Sequence, residues 1–274
     1  MIANFKYIDA STPIHRLDPR TKIVLLLCVS LIAAALRDLR ALLALLALTA
    51  LYYALARLPW RATRKAWTFI LFLIIFVVGF NSLIAGTGGV DQGTTVLVRL
   101  PFGIRITWQH AIEALNIACR MLCSALMAVP LTFTIRPTRF GVAFRGLGLS
   151  DRIAFAIDLA IRLVPTYGQD FQSTLDAQRA RGYEVDRLRG GILERVRRLA
   201  PLAVPVTMNA IMSGEDITNA LDMRGFGLRP RTWLHAQPLR PVDWLLIGLA
   251  LAGVVGALSW RALGGAVWVP PYPF

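Results

Sequence analysis

No loop of the form Gly-x-x-x-x-Gly-Lys-Ser/Thr occurs in this 274-residue sequence, so the chain has no such means of holding ATP. The His-Glu-x-x-His zinc helix, the Gly-x-Ser-x-Gly elbow, Cys-x-x-Cys and the paired-Asp signature of alcohol phosphotransferases are also missing, which removes the commonest hydrolytic and redox chemistries. Cysteine is scarce. Cys28, Cys119 and Cys123 all fall in apolar runs. Cys119 and Cys123 would lie one helical turn apart and offer only two ligands, with no His or carboxylate near enough in sequence to complete a site. They read as small packing residues, and no metal or cofactor is expected. Charge is sparse at 17% and lopsided, 30 basic against 16 acidic residues for a net +14.

What the chain has instead is apolar surface: 56% of its residues are hydrophobic and the mean hydropathy is +0.56, too high for an ordinary soluble domain. The expectation is an all-α polytopic membrane protein of about five transmembrane helices, at 23–36, 41–56, 66–86, about 108–133 and 244–260. The first two are short for a hydrocarbon core of about 30 Å and are expected to form a tilted hairpin. The turn Arg37-Asp38-Leu39-Arg40 between them is too charged for the membrane centre. Ala33-Ala34-Ala35 resembles a signal-peptide cleavage site, but the 22 residues before the apolar run are too many for a secretory n-region.

Of the 30 Lys and Arg residues, 24 fall in 1–22, 57–65 and 134–240. The positive-inside rule therefore puts the N-terminus and the long polar region in the cytoplasm and the Trp-Val-Pro-Pro-Tyr-Pro-Phe tail outside. The expected layout is a cytoplasmic anchor (1–22), a four-helix membrane bundle (23–133), a cytoplasmic or membrane-surface region of long helices (134–240), and a last span with an external tail (241–274). Such a charge balance by itself suits nucleic acid, anionic lipid or acidic protein partners, so where the charges sit matters more than their sum; with a membrane frame the expected partners are lipid and protein, with no nucleic acid.

Several features have both a chemical and a packing reading. His15, in the basic stretch before the first span, is an interfacial residue before it is a catalyst, and Asp18 is a candidate cap with Pro19 in a first helical turn. The segment 87–107, rich in Gly and Thr, is an external loop with a short strand or interfacial turn. Glu113, Asn116 and Arg120 share one helical face and either line a pathway or close a helix–helix hydrogen-bond network. Ser150 is placed to cap a helix over 151–164, with Asp158 and Arg162 as an i, i+4 pair. That helix lies on the membrane, packs on the spans or crosses as a sixth. Pro165 is expected to restart the pattern, and Pro201 and Pro205 to kink a later helix.

Within the polar region one short element occurs twice. A polar helix runs into Ala180-Arg181-Gly182-Tyr183, with Arg187 beyond, and another into Met223-Arg224-Gly225-Phe226, with Arg231 beyond. Glycine just past a helix takes the left-handed cap conformation, and a cation suits the negative end of the helix dipole, so each copy is at least a helix stop. Arg145-Gly146 and Arg189-Gly190 occur too, so the dipeptide alone carries little. The pairing carries more. An exposed helix end that offers a guanidinium fork and an aromatic is shaped to enter a groove on another protein and meet its carboxylates. All 16 basic residues of 134–240 are arginine, which fits that use and equally fits a GC-rich genome.

These two ends, the run His15-Arg16-Leu17-Asp18-Pro19-Arg20-Thr21-Lys22 leading into a span, and the order of parts resemble the transmembrane T component of energy-coupling factor transporters, the group that includes cobalt- and biotin-associated permease subunits. The resemblance implies a non-enzymatic coupling subunit in a prokaryotic cytoplasmic membrane, for uptake of a vitamin or transition-metal ion. It implies two ABC-type ATPase partners that hydrolyse the ATP and a separate membrane substrate-binding S subunit. Ala180, Arg181, Gly182, Met223, Arg224 and Gly225 would be the ATPase contacts. Met223 departs from the family pattern, where alanine is usual. A conventional importer permease and, more remotely, an intramembrane enzyme built on Glu113, Asn116 and Arg120 are the competing readings.

Overall fold

The computed structural model describes residues 12–36, 38–87, 96–99, 105–137, 140–182, 192–228 and 239–263. In chain order these form α1 (Pro19–Ala35), α2 (Leu39–Ala56), α3 (Trp60–Thr87), β1 (Val96–Arg99), β2 (Arg105–Thr107), α4 (Trp108–Thr134), α5 (Phe140–Gly146), α6 (Asp151–Ala180), α7 (Ile192–Met223) and α8 (Pro241–Ala262). The two strands make one short antiparallel hairpin, and the rest of the fold is helical. Two compact units result, one within 6–136 and 237–274, the other within 137–236.

The first unit holds the five apolar helices. By length and composition α2, the Trp60–Ser82 part of α3, α4 and α8 can each cross a membrane. The fifth, α1, has 17 residues, about 25 Å of helix, and falls short of the hydrocarbon thickness. Leu36 and Asp38 flank the break between α1 and α2, where the Asp38 carboxylate accepts the Arg40 N–H at 3.0 Å and caps the second helix. Helix α4 is the hub. It packs against α1, α2 and α3, while α8 packs on α1. Cys119, Cys123 and Met127 of α4 meet Val29 and Ala33 of α1 and Leu42 and Leu45 of α2 in one buried cluster, so two of the three cysteines serve as core residues, and the third, Cys28, is also buried. The outward faces are apolar too: Phe72, Phe76 and Phe80 stack along the exposed side of α3, as a lipid-facing helix allows.

The second unit holds α5, α6 and α7, with α5 packed on α6 and α6 on α7. Neither α6 nor α7 is apolar enough to count as a span, so a sixth crossing at 153–164 is not among the described helices. The expected break at Pro165 does not occur either. Helix α6 runs unbroken from Asp151 to Ala180 through that proline, and α7 runs through Pro201 and Pro205. A proline removes one backbone donor and crowds the preceding turn, yet the helical backbone continues through all three positions. The expected Asp158–Arg162 pair is replaced by a longer-range contact. Asp158 Oδ1 accepts the Gly141 N–H of α5 at 3.0 Å, and Arg162 makes no ion pair among the described residues. Ser150 is the N-cap of α6, as its position suggested, although its hydroxyl makes no capping bond.

Candidate functional site

The two Arg-Gly ends fold as helix stops of one kind. At the end of α7, Gly225 N–H bonds to Asp222 O at 2.9 Å and Phe226 N–H reaches back five residues to Leu221 O at 3.0 Å, the paired bonds of a Schellman closure. At the end of α6, Gly182 N–H bonds to Arg179 O at 3.0 Å and Arg181 N–H to Ala177 O at 3.2 Å. Both glycines are left-handed, φ +83° at Gly182 and +66° at Gly225. A Cβ built on Gly182 would meet nothing, and one on Gly225 only Leu228 Cδ1 at 3.4 Å, so conformation and not space calls for glycine. Gly146 is different. It lies inside α5, whose closure falls to Gly148 at φ +102°. Arg189-Gly190 lies outside the described residues, as do Tyr183, Arg187 and Arg231.

Both copies present their side chains to solvent. Ala180, Arg181, Gly182 and Arg224 are exposed, and Met223 is 90% exposed, so the one departure from alanine meets no obstacle in this chain. Neither the Arg181 nor the Arg224 guanidinium has a carboxylate partner among the described residues. The aromatic of the second copy turns inward: Phe226 packs on Phe155 of α6, ring centroids 4.6 Å apart, and the Arg152 guanidinium lies within 3.8 Å of where a Gly227 side chain would begin. The end of α7 therefore sits against the first turns of α6, and the two Arg-Gly ends lie at opposite ends of the α6–α7 pair.

The polar residues of α4 do not assemble into a site. Arg120 Nη2 donates to Leu36 O at 2.6 Å, so its charge satisfies an orphan carbonyl at the C-terminus of α1 and complements that helix's dipole. Glu113 is exposed, and the buried Asn116 Oδ1 has no partner among the described residues. Among the described residues no three His, Cys, Asp or Glu side chains gather as metal ligands.

Over residues 10–234 the chain matches the family described as cobalt transport protein. It belongs to that family. It is similar, at 27% identity over 94% of this chain and 96% of the relative, to the energy-coupling factor transporter transmembrane protein EcfT of Thermanaerovibrio acidaminovorans. The proteins of the same name from Heliobacterium modesticaldum (26%, over 91% and 93%) and Bacillus subtilis (25%, over 81% and 83%) match along most of their lengths as well. The family places the chain among the transmembrane T components of these transporters.

In this T component the N-terminal run has a role that periodicity could not show. Asp18 caps α1 by accepting the Arg20 N–H at 2.9 Å, with Pro19 in the first turn. Its own N–H and the Thr21 hydroxyl both donate to Oδ1 of Asp243, at 3.3 and 3.0 Å, and Arg240 N–H donates to Oδ2 at 3.0 Å. Lys22, 2% exposed, reaches Thr134 Oγ1 at 3.1 Å and Thr134 O at 3.4 Å at the far end of α4. Asp243 is 1% exposed and joins the starts of α1 and α8. Asp243 stands one residue before the apolar run read as 244–260, and its sequence neighbours do not identify its donors, although a carboxylate at the mouth of a bilayer must find some.

Proposed function

We propose that the chain is the coupling subunit of an energy-coupling factor importer in a prokaryotic cytoplasmic membrane, with the N-terminus and the 137–236 unit on the cytoplasmic side. Ala180-Arg181-Gly182 and Met223-Arg224-Gly225 dock in grooves of two ABC-type ATPases. The apolar bundle holds a membrane S subunit that carries a vitamin or transition-metal ion. One observation carries this reading: two glycine-closed helix ends, at opposite ends of one helix pair, each with an exposed arginine and no carboxylate partner among the described residues. A guanidinium so placed is free to meet a partner's carboxylates bidentately, and the adjacent C-terminal dipole favours the cation.

In this reading ATP binding closes the two ATPases, the docked ends move with them, and the movement is passed to the bundle and its S subunit. The chain supplies positions and charges, and bond breaking belongs to the ATPases. The test is Arg181→Glu combined with Arg224→Glu in the assembled transporter. Charge reversal should abolish co-purification of the ATPases and reduce uptake to background, with membrane insertion unchanged. Wild-type co-purification and uptake in the double variant would remove the assignment.

A further inference from the structure

We propose that the cavity between the turn preceding α1 and the start of α8 holds the phosphate of one anionic phospholipid, taken from the leaflet that meets this end of the bundle. The cavity has a volume of about 460 Å³ and is lined by Pro13, Arg16, Leu17, Arg240, Val242 and Asp243. That volume is within the range of small-ligand sites, about 300–1,000 Å³. Its two cations are exposed, and neither makes an ion pair among the described residues. Its one acid is engaged by other donors: Asp243 Oδ1 accepts Asp18 N–H and Thr21 O–H, Oδ2 accepts Arg240 N–H, and the carboxylate is buried and makes no ion pair with either arginine among the described residues.

The cavity is thus a concave site with two guanidinium forks that make no ion pair among the described residues, the donor type that suits a phosphate's oxygens. The remaining lining, Pro13, Leu17 and Val242, is apolar. A free inorganic anion gains nothing from such walls, whereas the glycerol and first methylenes of a lipid do. Depth points the same way. Arg240 is the residue just before α8, a 22-residue helix able to cross a membrane, so the site stands where phosphates of that leaflet lie.

The experiment is a titration of the purified full chain in neutral detergent with phosphatidylglycerol and with phosphatidylcholine, read by native mass spectrometry. Wild type should hold one phosphatidylglycerol in preference to phosphatidylcholine. Arg16→Gln or Arg240→Gln should each lower that preference about fivefold, as expected for one basic contact with an anionic headgroup. Val242→Trp, which fills the cavity and leaves both arginines, should abolish it. Unchanged thermal unfolding in phosphatidylcholine confirms that each variant is folded. The proposal is overturned by an absence of preference in wild type, or by retention of the preference in the Arg16→Gln/Arg240→Gln double variant. Retention in Val242→Trp overturns it too, since surface charge alone would then suffice. Displacement of the lipid by millimolar inorganic phosphate would assign the site to the free ion and overturn the lipid.

Discussion

The Thr21 hydroxyl donates a 3.0 Å hydrogen bond to Oδ1 of Asp243, 222 positions further along the chain. That bond joins the first apolar helix to the last, and the same oxygen also accepts the Asp18 N–H. Replacing Asp243 by Ala leaves three donors without their acceptor, two of them in a buried setting where each orphan costs about 1–3 kcal/mol. Asp243→Ala is therefore expected to lower the unfolding temperature of the detergent-purified chain by far more than Thr21→Val, which removes one donor and keeps the volume. Equal unfolding temperatures for Asp243→Ala and wild type would show that the contact is idle.

Arg120 makes a second prediction. Its guanidinium is bonded to the Leu36 carbonyl at the end of α1, and a hydrogen bond to a charged group contributes about 1.5–3 kcal/mol. Arg120→Leu should destabilise the bundle by that order, and Arg120→Lys should recover part of the loss because an ammonium can reach the same carbonyl. The readout is again thermal unfolding, with uptake by the assembled transporter as a second measurement. Lysine no better than leucine on both readouts would point away from a helix cap.

Gly141 offers the sharpest steric test. A Cβ there would stand 2.4 Å from Asp158 Cγ and 2.6 Å from the Ala154 carbonyl oxygen, and a backbone atom cannot step aside as a flexible side chain can. Gly141→Ala should force α5 off α6 at a cost of about 1–3 kcal/mol or more. Limited proteolysis within 137–236 should then proceed several-fold faster. Gly214→Ala, in open space on α7, is the matched control and should leave proteolysis unchanged. The prediction fails if the two variants are cut at the same rate.

The features legible in the sequence were those written in local periodicity. The apolar run read as 108–133 is α4, Trp108–Thr134, and the run read as 41–56 is α2, Leu39–Ala56, because a bilayer dictates the length of such runs and their polar flanks supply the caps. Asp18, Pro19, Gly182 and Gly225 occupy the terminal positions that their chemistry suggested. What was not legible depends on residues distant in sequence. Pro165 reads as a break until α6 is seen with its neighbours, Asp158 reads as the partner of Arg162 until α5 supplies an N–H, and Asp243 is unremarkable until α1 lies beside it. The Arg-Gly pair fell between these cases. Spacing located it, but only the backbone separated the two true helix ends from Gly146, which lies within α5.

The packing of Phe226 on Phe155 has a mechanical consequence. From Phe155 to Ala180 is 25 residues, a helical contour of about 38 Å, and that contour separates one arginine-bearing end from the other. If two moving bodies each grip one end, α6 is the arm of a lever. Every ångström of opposed sideways travel then turns that arm by about 1.5°, on the same helical rise. The aromatic contact fixes the far end of the arm, and loosening it would let the gripped end slip without turning anything.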